Sequence, residues 1–536
     1  MGLTINVAKE ETSQEILRLL KHEGTKLYGV KIKKAESDPE ARVQYMYDAV
    51  GMTPARMNYN TGAFDYGDWK DVWFVKENYP VMLKSDGTVD YKLSPTNHAY
   101  KEDGTTASDV ANEAYDGNAM SRIPLVWVCF DQDLNYEYIT VSNVKVDDNF
   151  HAYAHTSETD GTTVLDEIFL AMYQGSEVTV DGVTKLRSLS NHWPIWKNTA
   201  QQECTKAKAN GNGWYTRNWA QRNLINALLL IMSKTDDSQT AFGRGVDSTY
   251  VDDESQHYGM AISGGLDAAG QFMGYNDGTH QVKVFYMEDW WANQWERIAG
   301  LINDYGTIKV KMVGPYNFDG AGYDVIEGVT LQGTSGGYIA QNHTTNRSGR
   351  LPFSTVAKDG TPGASNKYTP DQFMCLKYSR FYLAVGHSAQ YNRAGYMAFN
   401  AFMEAHGTNW SVGASLSFKG IKTRLPRYFP GNRVKCFSYL FPAILLAILA
   451  NRPDLDFCAL FSHSLTLFVA GALYFRRSFA SIVLLIFSTV ISFLYRGSFA
   501  SRAHTRTAVS YSCARFAFLS NLTIVLSVMR PSYTAM

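Results

Sequence analysis

The sequence changes character near residue 420, and that break constrains the fold more than any local motif. Residues 421–536 carry 13 Lys and Arg against 2 Asp and Glu, whereas the 420 residues before them carry 37 against 49. One core does not ordinarily draw on two such compositions, so an acidic body and a basic, hydrophobic extension are expected as separate parts. Within the extension, residues 457–475 and 478–495 are uncharged and apolar over 19 and 18 positions, with a shorter stretch at 436–450. By length the first two are candidates to span a membrane, yet only Arg476 and Arg477 separate them. The same composition arises when a gene is read out of frame past its proper end. Both readings of 421–536 stay open: a membrane-inserting segment or a non-native extension.

The body has ample length for large cores, and the 45% apolar share of the whole chain excludes the disordered class. Its net negative charge argues against a nucleic-acid partner, which needs a basic stripe. Six cysteines in 536 residues make no disulfide framework, and no Cys-x-x-Cys occurs, so no zinc site of that type is expected. The first residues show no basic segment followed by an apolar one, so no secretory signal is expected. Asn6 stands where myristoylation wants Ser or Thr, which removes that reading.

Residues 1–22 predict a short N-terminal helix, with Ile16, Leu17, Leu19 and Leu20 on one side. Residues 23–185 predict a β-rich module with few helices. Asp86-Gly87, Asp103-Gly104, Asp160-Gly161 and Asp181-Gly182 punctuate runs such as Ile123–Phe130 and Tyr136–Val141, the pattern of antiparallel hairpins. From 186 the texture changes. Helices are predicted over Trp196–Lys208 and Trp214–Lys234, the second with an apolar stripe of Trp219, Leu224, Leu228, Ile231 and Met232. Beyond that helix the chain reads as loop-rich, with Gly and Asn frequent through 320–365. Eight of the eleven Trp fall between 193 and 410, where they could anchor a core carrying irregular loops.

Signatures of catalysis are sparse. No GxxxxGK[ST], HExxH or GxSxG occurs, so no catalytic residue is assigned and a non-enzyme is expected. His151 and His155 are four apart, a metal-binding spacing on a helix, but their flanks predict a surface strand. There the two stand about 13 Å apart, too far to share an ion. No metal ligand is assigned. Cys375, with no second Cys or paired His suggested nearby, reads as core.

Two stretches are specific. The run Val282–Leu301, with Glu288-Asp-Trp-Trp-Ala-Asn-Gln-Trp-Glu296 at its centre, predicts a strand over 282–286 leading into a turn whose Trp side chains plug the core. Glu288, Asn293 and Glu296 are then expected to hydrogen-bond loop backbone, because buried polar groups need partners. This run resembles that of C-type-lectin-like domains, which include the formylglycine-generating-enzyme fold and the variable proteins diversified by retroelements. Ala292 stands where that family usually has Gly. The second stretch, Arg380–Asn400 leading into Asn409–Phe418, resembles the C-terminal cassette of phage tail and retroelement-diversified proteins. The resemblance implies an α+β fold: a β-rich module, then a C-type-lectin-like domain at 186–420 whose last strand ends near Lys419. It makes Gly386, Ser388, Ala394-Gly395 and Gly413–Leu416 scaffold.

The same resemblance implies which residues meet a ligand. Diversification in that family acts on template adenines, and Val385, His387, Tyr391, Asn392, Arg393, Tyr396 and Phe402 are all reachable from an Asn codon. Gln390 and Met397 are not. Phe402 reads as core, leaving Val385, His387, Tyr391, Asn392, Arg393 and Tyr396 as candidate ligand-binding residues. Exposure is expected above all at His387, Tyr391 and Arg393, between Gly386 and Gly395. Weaker similarity to tail-tip proteins runs through Leu27–Ile32, Ala41–Gly51, Gly213–Thr216 and Gln239–Gly245.

The resemblance therefore implies a receptor-binding protein at a virion tail tip. Its partners would be a host cell-surface receptor, protein or glycan, and other tail structural proteins, and it would assemble as a homotrimer. No cofactor is expected, and no carboxylate cluster is placed for calcium, which stays open. The alternatives are a membrane-anchored bacterial surface adhesin on the same scaffold, or an oxidase of the formylglycine-generating type, whose chemistry needs reactive cysteines.

Overall fold

The structure, a computed structural model, describes residues 24–420 apart from Gln332. The helix predicted at 1–22 and the apolar stretches of 421–536 lie outside the described residues. Strand outweighs helix, 36% against 11%, as the β-rich reading expected.

Three larger sheets carry the fold. The first is antiparallel, in the order Val43–Tyr47, Leu27–Lys33, Tyr136–Ser142, Trp127–Gln132. The second runs Trp214–Thr216, Leu416–Phe418, Glu167–Ala171, Gly117–Pro124, Tyr79–Lys84, Val89–Lys92. The third places Trp295–Asp304 and Arg380–Val385 side by side near its centre, with Phe399–Ala401 and Thr369–Cys375 beyond. The Trp-rich run and the cassette are thus neighbours in one sheet.

The expected boundary at 185/186 is not a seam. In the second sheet Phe418 lies opposite both Phe169 and Trp214, so the last strand inserts between one strand from each side of that boundary. The Phe418 ring packs 5.1 Å from Trp214 and 6.3 Å from Phe169, closing an apolar cluster with Val81, Leu83 and Leu416. Lys419 follows with its ammonium buried 2.7 Å from Glu158.

The hairpin signals hold where two strands flank them. Asp181 and Gly182, both at positive φ, join Ser176–Val180 to Val183–Arg187, the primed turn that matches strand twist. Asp86-Gly87 joins Tyr79–Lys84 to Val89–Lys92. Asp103-Gly104 and Asp160-Gly161 close turns between isolated bridges only. Three other expectations need correction. Ile123–Phe130 is not one strand, because the chain leaves the second sheet at Pro124 and enters the first at Trp127. Residues 320–365 are less loop-rich than expected, because Asp324–Thr330, Thr334–Ile339, Gln341–Thr345 and Gly349–Ser354 are strands. Val282–Tyr286 contributes only Lys283–Val284, paired with Met287–Glu288 in a two-residue hairpin.

Both predicted helices form, later than expected. The first spans Ala200–Lys208 because Thr199 and Gln202 make a reciprocal capping box. The second spans Trp219–Ser233 behind the same device at Asn218 and Gln221, and Trp214–Thr216 before it is strand. All fifteen of its residues are buried, so it has no solvent face opposite the predicted stripe. Its polar residues serve the interior instead. Asn226 accepts from the Trp290 indole at 2.9 Å and donates to Tyr396 O at 2.9 Å. Arg222 donates to Trp290 O and, at 3.1 Å, to Tyr396 O. One helix therefore fixes the Trp-rich run against the cassette.

Candidate ligand-binding surface

The turn after Arg380–Val385 is built on the Trp-rich run. Ala292 N donates to Gly386 O at 2.8 Å, and Ala389 N donates to Asn293 O at 3.1 Å. Ala292 and Asn293 take φ of 69° and 59°, so the Ala occupies a left-handed position that favours glycine. Trp290, Trp291 and Trp295 are buried as expected. Glu288 accepts from Gly264 N and Leu266 N at 2.8 and 3.0 Å, and Asn293 bonds Ala261 N and O, so both hold loop backbone as expected. Glu296 does not. It faces the buried guanidinium groups of Arg217 at 3.1 Å and Arg222 at 3.8 Å, which also lie over the Trp290 ring.

The six candidate residues separate into two sets. Tyr391 is 67% exposed, Asn392 is exposed and Arg393 is half-buried, its guanidinium 5.2 Å from the Tyr338 ring. These three form the tip. Val385, His387 and Tyr396 are buried and present no side chain to a ligand, which corrects their assignment and the expected exposure of His387. The reason lies in partners distant in sequence. His387 turns inward at φ 77°, shares a hydrogen bond between its Nε2 and Gln372 Oε1, and packs 4.8 Å from Trp295. Burial pushes its pKa down to about 4, so the ring is neutral. Val385 sits in the sheet opposite Phe399 and Glu296. Tyr396 places its hydroxyl 3.4 Å from Asp236, within a buried network of Arg42, Glu137, Asp236 and Arg350. Gly386, Ser388, Ala394, Gly395 and Gly413–Leu416 are buried, as expected of scaffold, and Phe402 is half-buried.

Beside the tip lies a feature that sequence reading missed. Tyr250 N donates to Ala389 O and Asn392 N donates to Asp247 O, each at 3.1 Å, which binds segment 247–250 to the tip. From Tyr250 a series of stacked rings continues. Trp410 lies between Tyr250 at 5.1 Å and Tyr258 at 4.9 Å, both within 26° of parallel. Tyr258 meets Trp196 edge-on at 5.5 Å, and His257 lies between Trp196 at 5.5 Å and Trp193 at 3.6 Å. Trp193 is 39% exposed and the other five rings are half-buried. His257 and Tyr258 take φ of 49° and 53°, a strained backbone that turns both rings into the series. The buried Gln294 carboxamide donates to Ile195 O and Trp410 O, which ties two of the contributing segments together. The density of Trp between 193 and 410 is the signal in the sequence, and Trp193, Trp196 and Trp410 among them serve this series rather than the core alone.

His151 makes one bridge to Val128 and His155 sits in a 3₁₀ turn, wholly buried, so the predicted surface strand is corrected. Among the described residues no group of three or more His, Cys, Asp or Glu is placed to hold a metal. Cys375 is buried in strand Thr369–Cys375, as expected, and burial pushes its thiol up to about 12. No family model matches the chain, and no curated protein matches it.

Proposed function

We propose that this chain is a receptor-binding protein that displays a variable tip on a C-type-lectin-like scaffold, as part of a phage tail. The observation that carries the reading is the division within the cassette. Tyr391, Asn392 and Arg393 project at a turn whose flanking residues are locked into the core, so these three positions can change without disturbing the scaffold. Tyr and Arg suit such a place, because they supply large contact area at low entropic cost. The adjacency of the Trp-rich run and the cassette in one sheet supports the C-type-lectin-like assignment. Assembly as a homotrimer would repeat a weak site around an axis and raise avidity through effective concentration.

Sequencing the 3′ half of the gene across a population of its source tests this. The expected result is substitution concentrated at codons 391–393, with codons 385, 387 and 396 restricted to residues that fit their buried sites. Uniform codons across the cassette would remove the reading.

A further inference from the structure

We infer that the stacked aromatic series is a constant part of the same ligand surface and takes Arg or Lys side chains of a protein partner. The inference rests on the receptor-binding reading and adds the chemistry of the partner.

The surface already holds one cation in this manner. Lys197 Nζ lies 5.3 Å over the Trp196 ring and 2.7 Å from Glu254 Oε1, an ammonium between an aromatic face and a carboxylate. At the other end of the series the same two groups stand, among the described residues, without a cation. Tyr250 stacks on Trp410, the one ring stacked on it among the described residues, and its hydroxyl lies 3.2 Å from Asp252 Oδ1. Glu254 is balanced by Lys197, but among the described residues no salt bridge reaches Asp252 or Asp253, so the rim is negative. A guanidinium suits the place, because it stacks flat on a ring and bonds a carboxylate in its own plane. Residues 1–420 carry excess negative charge, which speeds encounter with a basic partner. A sugar is the weaker fit. His257 and Trp410 each have rings stacked beside them in two places, leaving few open faces for a pyranose. The continuity of Tyr250 with Ala389 and of Asp247 with Asn392 places this constant patch beside the variable tip.

The test is a titration of the full chain with acetyl-tetra-arginine amide, followed by intrinsic tryptophan fluorescence, with tetra-glutamate and an N-acetylglucosamine trisaccharide as comparison probes. The expected result is saturable quenching by tetra-arginine alone, weakened about tenfold by Tyr250→Leu and about fivefold by Asp252→Asn. Asp86→Asn, an exposed carboxylate in a distant hairpin turn, should leave the titration unchanged. Binding of the trisaccharide in place of the peptide overturns the inference. So does equal weakening by Asp86→Asn, or no change in Tyr250→Leu and Asp252→Asn. Population sequencing keeps the two claims apart: uniform codons with peptide binding intact remove the variable tip and leave the patch, and the converse removes only the patch.

Discussion

Lys419 and Glu158 form an ion pair at 2.7 Å with side chains 0% and 1% exposed, joining the end of the cassette to the turn after His155. Asn218 also donates to the Glu158 carboxylate at 3.0 Å, so the N-cap of the buried helix meets the same group. Removing one partner leaves a buried charge alone, which costs about 3–5 kcal/mol. Lys419→Met and Glu158→Gln should each lower denaturant-derived stability by that order. The double variant should recover much of the loss.

Buried histidines set an acid limit. Burial holds His155 down to about 3 and His98 and His387 down to about 4. In the unfolded chain each takes a proton near pH 6.5. Their folded pKa values are depressed, so the unfolded state binds more protons below pH 6.5 and stability falls as pH falls from there toward 4. Asp247, pushed up to about 6 by burial, acts in the opposite sense, so the informative comparison is between variant and wild type. His155 has no hydrogen-bond partner at either ring nitrogen among the described residues. His155→Leu should therefore lose about 2 kcal/mol less than wild type between pH 7.5 and 5, measured by urea denaturation at each pH.

Scaffold and tip should respond oppositely to small substitutions. A Cβ at Gly395 would lie 1.9 Å from Asp371 Oδ1, in a buried site where Oδ2 accepts from Met397 N at 2.8 Å. Gly395→Ala should cost about 1–3 kcal/mol through overpacking. Tyr391→Ala, at an exposed ring, should stay within about 0.5 kcal/mol of wild type. Thermal unfolding of both variants checks the contrast.

Local signals in the sequence were legible where local structure decides the outcome. Asp181-Gly182 announced its hairpin, and the Thr199–Gln202 and Asn218–Gln221 spacings mark the helix starts better than the apolar pattern does. What the sequence hid depends on distant partners. Trp214–Thr216 is strand because Leu416–Phe418 pairs with it from about 200 residues away. His387 is buried because Gln372 and Trp295 receive it, although its neighbours Gly386 and Gly395 suggested a surface turn. The aromatic series draws on three segments, and no one of them shows the stack. The Trp-rich run was specific for its Trp, Glu288 and Asn293, but not for Glu296, whose partners Arg217 and Arg222 flank the helix start.

Receptor binding through the tip is tested most directly by adhesion of the full chain to a panel of intact bacterial cells, read by flow cytometry. Wild type is compared with the triple variant Tyr391→Ala, Asn392→Ala, Arg393→Ala. Wild type should bind selectively, and the triple variant should lose at least tenfold in binding with an unchanged melting temperature. Undiminished adhesion by the triple variant, or no adhesion to any cell by either protein, would contradict receptor binding through the tip.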